Sequence, residues 1–145
     1  MLAKRAGTAT WTGRLKDGTG TLTTESGALD KLPYSYKARF ENAHGEAGSN
    51  PEELLAAAHA GCFTMSLSQI ITKMGFEVND LKTVATVLME DDPKHLAVLG
   101  VQLVVNGKIP NMLPDQFIEA AEKAKVNCLM SKVINVPITM FAELN

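Results

Sequence analysis

Asn50-Pro51-Glu52-Glu53-Leu54-Leu55-Ala56-Ala57-Ala58-His59-Ala60-Gly61-Cys62-Phe63 is the stretch around which the rest of the chain has to be arranged. Asn50 is a good helix N-cap, Pro51 suits the first helical position, and Glu53 stands where a capping box needs its carboxylate. The pattern predicts a helix from Pro51 to about Met74, with Gly75 as its C-terminal stop. Leu54 to Phe63 is apolar on almost every face, so this helix must be surrounded by protein. Its alanines and Gly61 allow neighbouring backbones to come close.

Strand signals lie on both sides of it. Gly7–Gly13 alternates threonine with small or aromatic residues, Lys16-Asp17-Gly18-Thr19-Gly20 reads as a turn, and Thr21–Thr24 continues as a second strand. Tyr34 to Phe40 alternates strictly, Tyr34, Tyr36, Ala38 and Phe40 against Ser35, Lys37 and Arg39, which predicts a third strand. Beyond the loop Glu41–Ser49 and the helix, Leu81–Glu90 and Leu96–Asn106 read as strands joined by the turn Asp91-Asp92-Pro93-Lys94. Pro114-Asp115 opens a second helix carrying Phe117, Ile118, Ala121 and Ala124 at helical spacing. Asn127 breaks it before a further helical piece, Cys128–Ile134, and Val136–Leu144 closes as a strand. The order is β-β-β-α-β-β-α-β, an α+β class with helices packed against sheet. No repeat or linker divides it, so residues 1–145 are expected to form a single domain.

With 46% hydrophobic and 21% charged residues the composition is that of an ordinary soluble globular protein. The formal net charge is -2 and the basic residues are scattered, which argues against nucleic acid and against an anionic membrane surface. Met1–Gly7 lacks the apolar core of a secretory signal. The longest nearly unbroken apolar run, Leu54–Met65, falls short of the ~20 residues that span a bilayer. A cytoplasmic location and no membrane partner are expected. No Walker loop, no Gly-x-Gly-x-x-Gly opening a helix and no metal-ligand spacing is present, so neither cofactor nor metal is expected.

Two cysteines are too few for a secreted disulfide scaffold and too far apart for a C-x-x-C motif. They are inert core residues or a redox pair. For reactivity Cys62 needs a cation to hold its thiolate, since apolar burial alone works against it. Arg39, just before the loop that feeds the Cys62 helix, is a candidate, and a carboxylate can orient its guanidinium. Glu53 is explained by capping; Glu52 is explained either by the helix dipole or by such a pairing. Ten residues along one helix separate Glu52 from Cys62 by about 15 Å, so if both serve one site, Glu52 meets the Cys62 of another subunit. His59, one turn before Cys62, is either a satisfied core histidine or a general base. His44 and His95 fall in loop or turn contexts. The methionines sit mostly at core positions, as filler.

The segments Thr24-Glu25-Ser26-Gly27-Ala28-Leu29, Ala38-Arg39-Phe40-Glu41 and Asn50 to Phe63 closely resemble the OsmC family of osmotically inducible hydroperoxide reductases. The likeness runs over essentially the whole chain. It is closer to the OsmC branch than to the organic-hydroperoxide-resistance (Ohr) branch, which usually has tyrosine at the position of His59. Around the second thiol, Asn127-Cys128-Leu129-Met130-Ser131 departs from the proline that commonly follows that cysteine, a change that touches local geometry rather than thiol chemistry.

The resemblance implies an intertwined α+β homodimer, two central helices against antiparallel sheet, with its sites at the subunit interface. It implies Cys62 as peroxidatic and Cys128 as resolving cysteine, and Glu52 as partner of a catalytic arginine. Arg39 matches that arginine; Arg14 is the fallback, because the Ohr-type arginine comes from an earlier segment. The implied activity is a thiol peroxidase in oxidative or osmotic stress defence. An organic hydroperoxide or hydrogen peroxide would be substrate, and a dithiol or lipoylated protein the reductant. A non-enzymatic redox-sensing or small-molecule binding protein, a structural protein with inert thiols, and a Cys62/His59 thiol hydrolase are the alternatives.

Overall fold

The computed structural model describes residues 1–41, 48–90, 92 and 94–145. The chain divides into two compact units, Met1–Leu54 and Leu55–Asn145. The loop expected over Glu41–Ser49, with His44, and the turn at Asp91–Lys94 lie largely outside the described residues.

In the first unit β1 (Gly7–Thr12), β2 (Thr19–Thr24) and β3 (Leu32–Tyr34) form an antiparallel three-stranded sheet in that order. The β1–β2 turn closes with the Gly18 amide on the Arg14 carbonyl, and Thr10 faces Thr21 across the ladder. Gly20 sits under Trp11 and Tyr34, whose rings are 5.5 Å apart, where a Cβ would collide with both.

The third strand lies earlier than expected, sharing only Tyr34 with the predicted Tyr34–Phe40. From Tyr36 to Phe40 the backbone is a short helix, α1, capped by the Ser35 hydroxyl, which accepts the Ala38 amide at 3.0 Å. Alternation placed Tyr36 and Phe40 on one face of a strand; at i, i+4 they also share a helix face, and their rings meet tilted, with centroids 4.8 Å apart. The residue pattern is compatible with both, and the Ser35 cap tips it to the helix.

The long helix α2 (Pro51–Lys73) begins as expected, the Asn50 side chain accepting the Glu53 amide at 2.8 Å. Glu53 takes the Ser49 hydroxyl rather than completing a capping box. It ends at Gly75, which has φ +91. By length and composition this helix is long and apolar enough to cross a membrane, because hydropathy continues past Met65 to Ile71. That corrects the expectation drawn from the shorter run. Its stripe His59, Phe63, Leu67 and Ile71 is nonetheless fully buried within this chain, which is how a core helix behaves.

The second unit carries the sheet β4 (Asp80–Glu90), β5 (Ala97–Lys108) and β6 (Ile138–Leu144), with β5 in the middle. β4 pairs antiparallel to β5, but β6 runs parallel to it, so the sheet is mixed where the sequence reading had it antiparallel. The helices α3 (Pro114–Asn127) and α4 (Leu129–Val133) form the crossover that a parallel pairing requires. Phe63, Leu67 and Ile71 of α2, Val101, Leu103 and Val105 of β5, and Phe117, Ala120, Ala121 and Ala124 of α3 make the core, which includes Cys128. The other face of this sheet leaves Val84 and Phe141 more than half exposed, flanking Val104 in register.

Candidate active site: two thiols and a guanidinium–carboxylate clamp

In the first unit α1 carries Arg39 and the opening turn of α2 carries Glu52. The Arg39 Nε donates to Glu52 Oε2 at 3.1 Å and its Nη2 donates to Oε1, a two-pronged contact that fixes the plane of the guanidinium. The Glu52 side chain is 14% exposed against 35% for Arg39, so the carboxylate is the inner member and the cation keeps a face free. Arg39 also lies against the Phe40 ring, 5.1 Å from its centroid. Trp11, Tyr34, Tyr36, Phe40 and Pro51 line a cavity of about 310 Å³ beside it. Arg14, the other candidate, is exposed and pairs with Asp17 at 3.4 Å.

In the second unit both thiols are free. Cys62, on α2, is half-buried and packs against the core that contains Cys128. Cys128 joins α3 to α4 and is 2% exposed. Its Sγ accepts the Ser131 amide at 3.3 Å and lies 3.2 Å from the Ser131 hydroxyl. That hydroxyl is in turn 2.9 Å from His59 Nε2. His59 is fully buried, and burial pushes its pKa below the ordinary 6.5, so the ring is neutral near pH 7. Its Nδ1 has no partner among the described residues.

Of the residues picked out from sequence, Arg39 and Glu52 are therefore brought together, and the two thiols share one core. His59 is a core histidine, bonded to a serine rather than to Cys62. Ser131 carried no role in the sequence reading. The signal was present: Ser131 follows Cys128 by one helical turn, the spacing at which an N-cap side chain meets the backbone amide. Among the described residues no three His, Cys, Asp or Glu side chains gather as a metal would need.

Comparison with known proteins concerns the chain as a whole. The family model for OsmC-like proteins matches residues 43–141. The peroxiredoxin OsmC of Escherichia coli is 38% identical over 144 residues, 99% of each chain. The organic hydroperoxide resistance protein OhrB of Bacillus subtilis is 34% identical over 89 residues, 61% of this chain and 63% of that one. The crystal structure of OhrB superposes with a TM-score of 0.70 over 97% of this chain and 98% of that chain, at 26% identity. An OsmC-like protein from Vibrio cholerae reaches a TM-score of 0.77 at 16% identity, over 97% and 99% of the two chains, a likeness of fold. A family model covering most of the chain, and a relative alike from end to end, place this chain in the OsmC-like protein family.

Proposed function

We propose that this chain is a cysteine-based thiol peroxidase of oxidative and osmotic stress defence, reducing organic hydroperoxides and hydrogen peroxide. The observation that carries the reading is the full-length likeness to the peroxiredoxin OsmC, joined to two free thiols in one core and an arginine clamped by a carboxylate. Cys62, the more accessible sulfur, attacks the peroxide O–O bond as thiolate and releases an alcohol or water, leaving a sulfenic acid. Arg39 has the role of stabilising the thiolate and polarising the peroxide, with Glu52 orienting its guanidinium. The sulfenic acid condenses with Cys128 to a disulfide, which a small dithiol or a lipoylated protein reduces. The largely apolar cavity beside Arg39 supports an organic substrate.

The catalytic unit is an intertwined homodimer built from the whole of residues 1–145 and working in the cytoplasm. Ala57, Ala58, Gly61 and Met65 of α2 lie exposed in the single chain, an apolar stripe that a second copy would cover. The α2 spacing also supports a site shared between copies, since Glu52 stands about 15 Å along the axis from its own Cys62.

Peroxide consumption by wild type, Cys62→Ser and Cys128→Ser, with dihydrolipoamide as reductant, tests the reading. Wild type should turn over continuously. A wild type that consumes no peroxide while binding it would favour the sensing alternative; an unreactive Cys62 in a native thiol titration would favour a structural role.

A further inference from the structure

The resolving thiol sits at the end of a hydrogen-bonded chain that the peroxide step does not use. We propose that Ser131, set by His59, positions Cys128 and steadies the charge that develops on its sulfur when it attacks the Cys62 sulfenic acid. This rests on the assignment of Cys62 and Cys128 as peroxidatic and resolving cysteines.

His59 is fully buried and Nδ1 lacks a partner among the described residues, while Nε2 faces the Ser131 hydroxyl at 2.9 Å. A buried N–H without an acceptor is rarer than a buried acceptor without a donor, so the ring proton belongs on Nε2. Nε2–H then donates to Ser131 Oγ, whose own hydrogen is free to point at Cys128 Sγ, 3.2 Å away. The Ser131 amide already points there, at 3.3 Å. Two donors thus converge on one sulfur, and the imidazole fixes the rotor of the second. Burial reinforces the arrangement, because it keeps the ring neutral and a donor through Nε2 alone.

In the resolving step the S–S bond forms as the S–OH bond of Cys62 breaks. The Cys128 sulfur is oxidised, the Cys62 sulfur is reduced, and the Cys128 proton leaves with the hydroxide as water. Negative charge builds on Cys128 as its proton departs, which is the charge both donors face. His59 and Ser131 are positioning residues here. Neither touches peroxide, and neither changes protonation state.

The experiment mixes reduced protein with equimolar cumene hydroperoxide and follows sulfenic acid by dimedone trapping and disulfide by mass, in one turnover. Ser131→Ala and His59→Leu should slow disulfide formation about tenfold relative to sulfenic acid formation, the loss of one hydrogen bond to developing charge. Ser131→Thr keeps the hydroxyl and His59→Gln keeps an N–H at similar reach, so both should restore the step. A wild-type disulfide rate in Ser131→Ala overturns the proposal. So does an equal slowing in the Thr and Gln variants, which would mark a packing effect; these two also decide the matter if Ser131→Ala or His59→Leu fails to fold. Absence of both sulfenic acid and disulfide in wild type is a different failure, because it removes the peroxidase assignment itself.

Discussion

Cys62 and Cys128 share a core but not an environment: one is half-buried on a helix, the other enclosed and held by the Ser131 amide. A first-attacking thiol must be reachable, and a resolving one can stay shielded until a sulfenic acid forms. Cys62→Ser should therefore abolish peroxide reduction. Cys128→Ser should give a single turnover that stops at a sulfenic acid, seen as a mass gain of one oxygen; equal first-turnover rates in Cys62→Ser and wild type would reverse the assignment. His59 gives a pH prediction. Its folded pKa lies below the 6.5 of an ordinary histidine, so the unfolded chain binds the proton more readily. The stability this gives is present above pH 6.5 and is lost as pH falls through the lower folded value. Urea unfolding across that range should show wild type losing up to ~1.4 kcal/mol per pH unit more than His59→Gln. The resemblance, not spacing, made the Arg39–Glu52 pair legible, because thirteen residues and two elements separate them. Ser131 was missed because its meaning depends on His59, seventy-two residues away.

Most of the elements could be read from local pattern. The Asn50 cap and the Gly75 stop were both legible because each acts within one helical turn. The segment after Tyr34 was not, since its alternation of period two also suits one turn of helix. Pairing direction was hidden too: nothing in the Ile138–Leu144 alternation distinguishes a parallel neighbour from an antiparallel one. Gly107 shows packing that no pattern carries. A Cβ there would stand 2.6 Å from the ring of Phe117, itself fully buried, and 3.2 Å from Leu81. Gly107→Ala should destabilise the fold by about 1–3 kcal/mol, read as a lower urea midpoint at unchanged slope. Asn50→Ala should cost about 1 kcal/mol through the lost Glu53 amide bond.

At the scale of the molecule, α2 leaves the apolar stripe Ala57, Ala58, Gly61 and Met65 exposed in the single chain. If Glu52 of one copy serves the Cys62 of another, inactive Glu52→Ala and Cys62→Ser subunits should complement one another. Their mixture should recover activity as heterodimers form, each with one intact composite site. Verified subunit exchange without recovery would place the site within one chain. The parallel pairing of β5 with β6 has a separate consequence. Val101 meets Ile138 only after residues 109–137 have looped back, and that loop is the segment holding Cys128. Contacts so distant in sequence form late when an unfolded chain recovers. Until then both sulfurs are unshielded, and an oxidant present during refolding would join sulfurs of different chains in competition with the one intrachain pair, Cys62 with Cys128. Protein renatured under reducing conditions and oxidised afterwards should accordingly return more native cystine than protein renatured in air.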